Sequence, residues 1–96
     1  MPKGRKADLR DQAQGFGLLS DPTRLGILTV LAKGTINVTD LCKVLKRKQP
    51  GVSHHLGLLR MGRLVSGVRQ GKAVVYTTDK IALRALASAL VKLMPK

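Results

Sequence analysis

The chain has 96 residues, enough for one domain built on one hydrophobic core. Eighteen Lys and Arg stand against five Asp and no Glu, and the formal net charge of +13 directs the molecule toward a polyanion, either nucleic acid or an anionic membrane surface. Phe16 and Tyr76 are the only aromatics, which excludes a platform for stacking unpaired bases and favours a duplex target. No apolar run approaches the length of a membrane span, and Met1–Lys6 lacks the apolar segment of a signal peptide. Cys42 stands alone and can close no internal disulfide, so a cytoplasmic protein without membrane contact is expected.

Residues 1–6 are basic and read as a flexible arm, either a solvated tail or an extra phosphate contact, ahead of a domain over 7–96. Leu9, Ala13 and Phe16 recur at helical spacing between Ala7 and Leu19. Asp21-Pro22-Thr23-Arg24 is a helix start, with Asp21 as N-cap and Pro22 in the first helical position. That helix runs to Lys33, and Gly34 ends it. Leu25, Ile27, Leu28, Val30, Leu31 and Ala32 cover nearly its whole circumference, which predicts burial at the centre of the domain. A short helix capped by Thr39 follows, with Leu41, Val44 and Leu45 as its apolar stripe. After Lys46-Arg47-Lys48 a second short helix spans 50–62. Pro50 lies in its first turn, Val52, Leu56 and Leu59 on its buried face, and Gly62 at its end. Two short helices across so tight a turn form a helix-turn-helix. Residues 64–78 then read as a β-hairpin with its turn near Gly71. A terminal helix over 80–94 has one narrow polar stripe, Arg84, Ser88 and Lys92, and is apolar elsewhere. That is more apolar surface than one small domain can cover, so the helix is expected to pack on its own domain and on a second copy. The fold class is mainly α with a small β-hairpin: a winged helix-turn-helix of five helices and a β-wing, dimeric through its terminal helices. The expected contacts between copies are Leu9, Phe16, Ile81, Leu83, Leu86, Leu90 and Leu93.

Ser53 and His54 face away from the buried stripe of helix 50–62 and are the candidates for base-edge or phosphate contact; a merely solvated face is the plainer alternative. His55 lies beside the buried stripe, and a hydrogen bond inside the fold competes with a role on DNA. Lys46, Arg47, Lys48, Gln49, Arg60, Arg69, Gln70 and Lys72 complete the candidate DNA-binding set. No acidic residue occurs between Asp40 and Asp79, so the Lys and Arg of this set, with Lys43 and Arg63, form a positive run over both elements expected to face DNA. Cys42 reads first as a small buried hydrophobe and second as a thiol sensor beside Lys43 and Lys46.

The order of these elements resembles a winged helix-turn-helix, and their wording resembles the ArsR–SmtB family of repressors. The resemblance rests on Asp21-Pro22-Thr23-Arg24-Leu25 with Ile27-Leu28, and on Val52-Ser53-His54-His55-Leu56 followed by Leu59-Arg60 and Gly62-Arg63-Leu64-Val65. Arg69-Gln70-Gly71-Lys72 with Val75-Tyr76 completes it, over residues 17–79. It implies a homodimer that binds an imperfect palindrome in double-stranded DNA, blocks transcription, and is released by a ligand or metal. The family's metal sites would require cysteines at positions 37 and 39, where this chain has Asn37 and Thr39. A second set would join Asp79 to ligands at positions 81, 92 and 95, where it has Ile81, Lys92 and Pro95. Neither site is intact, so no metal or other cofactor is expected; a small-molecule or redox effector stays open. Pro50 and Gly51 also stand where small hydroxyl side chains often read bases, which shifts recognition toward backbone charge and DNA shape.

The leading expectation is a sequence-specific repressor. An architectural DNA-binding protein of low specificity is the alternative, suggested by Pro50, Gly51 and the charge. A protein-interaction module would leave the basic wing without a role. An enzyme is rejected, because no paired carboxylates, metal cluster or nucleophile–base arrangement is present.

Overall fold

The computed structural model describes the backbone of residues 5–96 and side chains from Leu9 onward. Eight elements follow in order: α1 (Arg5–Leu18), α2 (Pro22–Leu31), β1 (Ile36–Asn37), α3 (Val38–Leu45), α4 (Gln49–Met61), β2 (Val65–Gln70), β3 (Ala73–Thr78) and α5 (Lys80–Lys92). Helix α1 thus begins inside the segment expected to be an arm, and residues 1–4 of that segment lie outside the described residues.

Asp21 caps α2 as expected. Its carboxylate accepts the N–H groups of Thr23 and Arg24 at 2.8 and 3.1 Å, while Pro22 begins the helix where an N–H has no partner to lose. The Arg24 N–H holds the Asp21 carboxyl below its ordinary value of 3.8; the Thr23 N–H, the His55 ring and the Arg24 charge act the same way, against partial desolvation. The helix buries Ile27, Leu28 and Leu31 but leaves Leu25 47% exposed, so it presents one open side rather than being enclosed all round. Gly34, beyond its end, takes a φ of 147°, which only glycine adopts without strain.

The cap of α3 differs from expectation. Asn37, not Thr39, accepts the Asp40 N–H at 2.8 Å, and Asn37 Nδ2 donates to the Asp40 carboxylate at 3.1 Å. Asn37 is also the last residue of β1, paired with Val75, so the chain passes from strand to helix with no linker. The wing is therefore a three-stranded antiparallel sheet in the order β1-β3-β2, where only a hairpin was expected. Its tip is the two-residue turn Gly71-Lys72 between Gln70 and Ala73, with a positive φ at Gly71 alone, the pattern of a type II′ turn.

Both helices of the helix-turn-helix end in a left-handed residue that is not glycine. Lys46 has φ 55°, with Arg47 N–H donating to the Cys42 carbonyl and Lys46 N–H to that of Lys43. Arg63 has φ 63°, with Leu64 N–H donating to the Leu59 carbonyl and Arg63 N–H to that of Arg60. Both are Schellman closures. Gly62, expected to be the conformational breaker, has an ordinary φ of −80°. It is small for another reason: a Cβ there would collide with the Leu18 side chain of α1.

The core is aliphatic. Ile27 of α2, Leu41 of α3, Val52, Leu56 and Leu59 of α4, and Leu64 and Val65 at the start of the wing are all buried, with Phe16, Cys42 and Tyr76 packed at their margin. Leu86 of α5 joins this core and seats against Gly15 of α1.

Two substitutions in turns should have opposite signs. Lys46→Gly relieves a left-handed side chain and should raise stability by about 0.5–1 kcal/mol. Gly34→Ala should lower it by about 1–3 kcal/mol; thermal unfolding of each variant checks both. Because the folded Asp21 carboxyl is depressed, its stabilisation is complete above the unfolded value of 3.8 and disappears as pH falls through the folded value. Asp21→Asn keeps an acceptor but cannot titrate, so the Tm gap between wild type and variant should be constant at neutral pH and shrink in acid. A gap that widened in acid would contradict this assignment.

Candidate nucleic-acid interface

Helix α4 is amphipathic in the way a groove-reading helix requires. Val52, Leu56 and Leu59 anchor one face in the core, while Ser53, His54, Arg60 and Met61 are exposed on the other. Its first turn offers little side-chain chemistry: Lys48 is the N-cap but makes no capping hydrogen bond, Pro50 has no N–H, and Gly51 has open space where a Cβ would be. Lys46, Arg47 and Lys48 surround an open pocket of about 450 Å³ with Leu45 and Gly51. The left-handed turn at Lys46 sets these three cations beside the start of α4.

A second groove, of about 510 Å³, lies between the start of α3, the start of α4 and the wing. Gln49 and Ser53 line it from the helix and Lys72 from the hairpin. Three of the residues expected to touch DNA thus meet in one concavity, although 19 or more positions separate Lys72 from the other two. Arg69 and Gln70 are exposed on the wing outside this groove, His54 and Arg60 are exposed on α4, and all of the expected DNA-contacting side chains are accessible. The groove also contains residues that sequence reasoning did not assign to the site: Asn37, Thr39, Asp40 and Tyr76. Asp40 matters most, being the only carboxylate between positions 22 and 78. β1, which the sequence does not announce, concealed its position.

His55 faces inward. Its Nδ1 lies 3.1 Å from Arg24 Nη1 and its Nε2 lies 3.8 Å from the Asp21 carboxylate; the ring also meets His54 edge-on at 5.4 Å between centroids. The hydrogen-bonded alternative for His55 is the one the fold adopts. Cys42 is half-buried at the margin of the core. Asp79 caps α5 by accepting the Ala82 N–H at 3.0 Å, and among the described residues no three His, Cys, Asp or Glu side chains gather as metal ligands.

Leu9, Ile81, Leu90 and Leu93 lie on exposed apolar surface, Ile81 at 82% and Leu93 at 73%, together with Val91 and Met94. Leu86 does not join them: it is only 7% exposed, because it fills the α1–α5 contact within its own subunit. Phe16 and Leu83 are half-buried, Phe16 against the core. No described helix is long and apolar enough to cross a membrane.

The profile of the arsR family of bacterial regulatory proteins matches residues 21–66, from the cap of α2 into β2. The chain is 47% identical over 64 residues to the arsenical resistance operon repressor of Escherichia coli (strain K12), covering 66% of this chain and 55% of that protein. It therefore spans little more than half the length of that relative. It is 32% identical over 69 residues to the transcriptional repressor SdpR of Bacillus subtilis (strain 168), covering 72% of this chain and 77% of that one. The solution NMR structure of a homodimeric winged helix-turn-helix DNA-binding domain from Mycobacterium bovis superposes with a TM-score of 0.77 at 30% identity, over 96% of this chain and 87% of the other. Sequence and architecture agree, and this chain belongs to the ArsR family of bacterial regulatory proteins.

Proposed function

We propose that the protein is a homodimeric, sequence-specific repressor of transcription that binds an imperfect palindrome in double-stranded DNA and acts in the cytoplasm, without catalytic activity. The observation that carries this reading is the groove in which Gln49 and Ser53 of α4 meet Lys72 of the wing, beside the Lys46–Lys48 turn. A helix anchored by three buried aliphatic residues gives rigid support, and the flanking cations supply phosphate contacts that set its register. Lys46, Arg47, Lys48, Arg60, Arg69 and Lys72 are assigned to phosphates, and Gln49, Ser53, His54 and Gln70 to base edges or sugars.

The second copy is proposed to cover Leu9, Ile81, Leu90 and Leu93. If two to four such side chains are buried per subunit at ~1.5–3 kcal/mol each, the gross gain is several kcal/mol, enough to support a dimer. The Mycobacterium bovis domain is described as homodimeric, which supports this reading. A low-specificity architectural role is favoured by the lack of polar side chains at Pro50 and Gly51 and by the net charge of +13.

Selection of bound duplexes from a random-sequence library, followed by competition with unrelated DNA, separates the two readings. A repressor should prefer its selected duplex by about a thousandfold or more; a ratio near unity would favour the architectural role. With three to five phosphates neutralised per subunit, log affinity should fall against log salt with a slope of roughly −5 to −9, and a slope near −1 would contradict the phosphate assignments. Leu90→Glu should yield a folded monomer by analytical ultracentrifugation, with weakened binding to the full palindrome; an unchanged dimer would relocate the interface.

A further inference from the structure

The Asp21-Pro22-Thr23-Arg24 segment does more than start a helix. The Arg24 guanidinium is clamped between three acceptors from two other elements. Its Nε donates to the Leu18 carbonyl at 2.7 Å, Nη2 to the Gly17 carbonyl at 3.4 Å, and Nη1 to His55 Nδ1 at 3.1 Å. One side chain of α2 thus joins the last turn of α1 to the middle of the recognition helix α4. Leu18 is held twice, its carbonyl by Arg24 and its side chain against Gly62 at the end of α4. His55 directly follows Ser53 and His54, the exposed residues proposed to face DNA.

We infer that Arg24 and His55 are positioning residues that set the recognition helix against α1, and that protonation of His55 opens this contact and lowers discrimination between DNA sequences. A guanidinium has donors only, so Nδ1 must carry the lone pair and the ring proton sits on Nε2, toward Asp21. A second proton could enter only at Nδ1, setting N–H against N–H and cation against cation. Three charged or titratable groups face the ring among the described residues: Arg24 opposes a charge on it, Asp21 at 3.8 Å attracts one, and His54 meets it edge-on. From α1 the Leu18 and Gly17 carbonyls take part. Repulsion from Arg24 and attraction to Asp21 would act on the charged ring in the same sense, so gaining the proton and losing the α1–α4 tie are expected to occur together. Because α1 also carries Leu9 of the exposed apolar face, the tie relates the reading helix to the surface proposed for the second copy.

The inference rests on the sequence-specific DNA-binding reading above, and one experiment separates the two. The preference of the full-length protein for its selected duplex over a scrambled duplex is measured as pH is lowered from about 8 to about 5.5. Using the ratio cancels the general gain in DNA attraction as histidines charge. Wild type should lose roughly tenfold or more in ratio across this range, the effect of breaking one charge-assisted hydrogen bond. His55→Asn, whose amide oxygen can replace Nδ1 as an acceptor but cannot titrate, should keep the high ratio throughout. Arg24→Met should show a low ratio at both ends of the range, with thermal unfolding confirming that it is folded, and Arg24→Lys should recover part of the loss. A preference that is present but unchanged by pH, or a His55→Asn protein that loses it as wild type does, would overturn the inference alone. Absence of any preference at high pH would overturn the sequence-specific reading together with it.

Discussion

The placing of α4, the proposed reading helix, depends on one buried aliphatic seam, in which Ile27 of α2 and Leu41 of α3 enclose Val52, Leu56 and Leu59 of α4. A chain with a net charge of +13 repels itself when compact, and burial of these side chains must more than offset that repulsion. With Phe16 and Tyr76 only at the margin, the seam relies on interlocking branched side chains rather than large rings. Those same contacts fix which face of α4 remains outside. Packing and presentation are two results of one burial pattern.

Charge is distributed accordingly. Lys46, Arg47 and Lys48 stand at the turn before α4 and Arg69 and Lys72 on the wing, while Pro50 and Gly51 bring no polar side chain to the first turn of the helix. On the proposed reading, positioning by phosphate contacts and DNA shape would have a larger share than direct reading by the helix start. Asp40 interrupts the positive field at a single place, the groove between helix and wing. Its carboxylate is held by Asn37 Nδ2, which keeps it near the helix start that it favours.

Patterns that repeat along the chain were legible before any coordinates. Val52, Leu56 and Leu59, the Asp21-Pro22 start and the Gly71 turn each declare themselves within a short window, and the structure places all of them as read. What escaped depends on residues far apart in sequence. Two residues of β1 are too few for an alternating pattern, so the third strand and the Asn37 cap both went unseen. Lys46 and Arg63 adopt left-handed conformations because neighbouring hydrogen bonds compel them, where composition pointed to Gly62. Leu86 looked like its exposed neighbours on α5 until α1 was set beside it. Gln49, Ser53 and Lys72 could be proposed one by one, but their shared groove is a property of tertiary packing.

Asn37 holds two posts, pairing with Val75 as a strand residue and terminating α3 through its side chain. The hairpin is consequently no free flap but a bracket riveted to the helix-turn-helix. Transplanting a foreign hairpin onto this scaffold would sever that rivet unless residues 36 and 37 travelled with it, so the smallest exchangeable cassette is discontinuous in the chain.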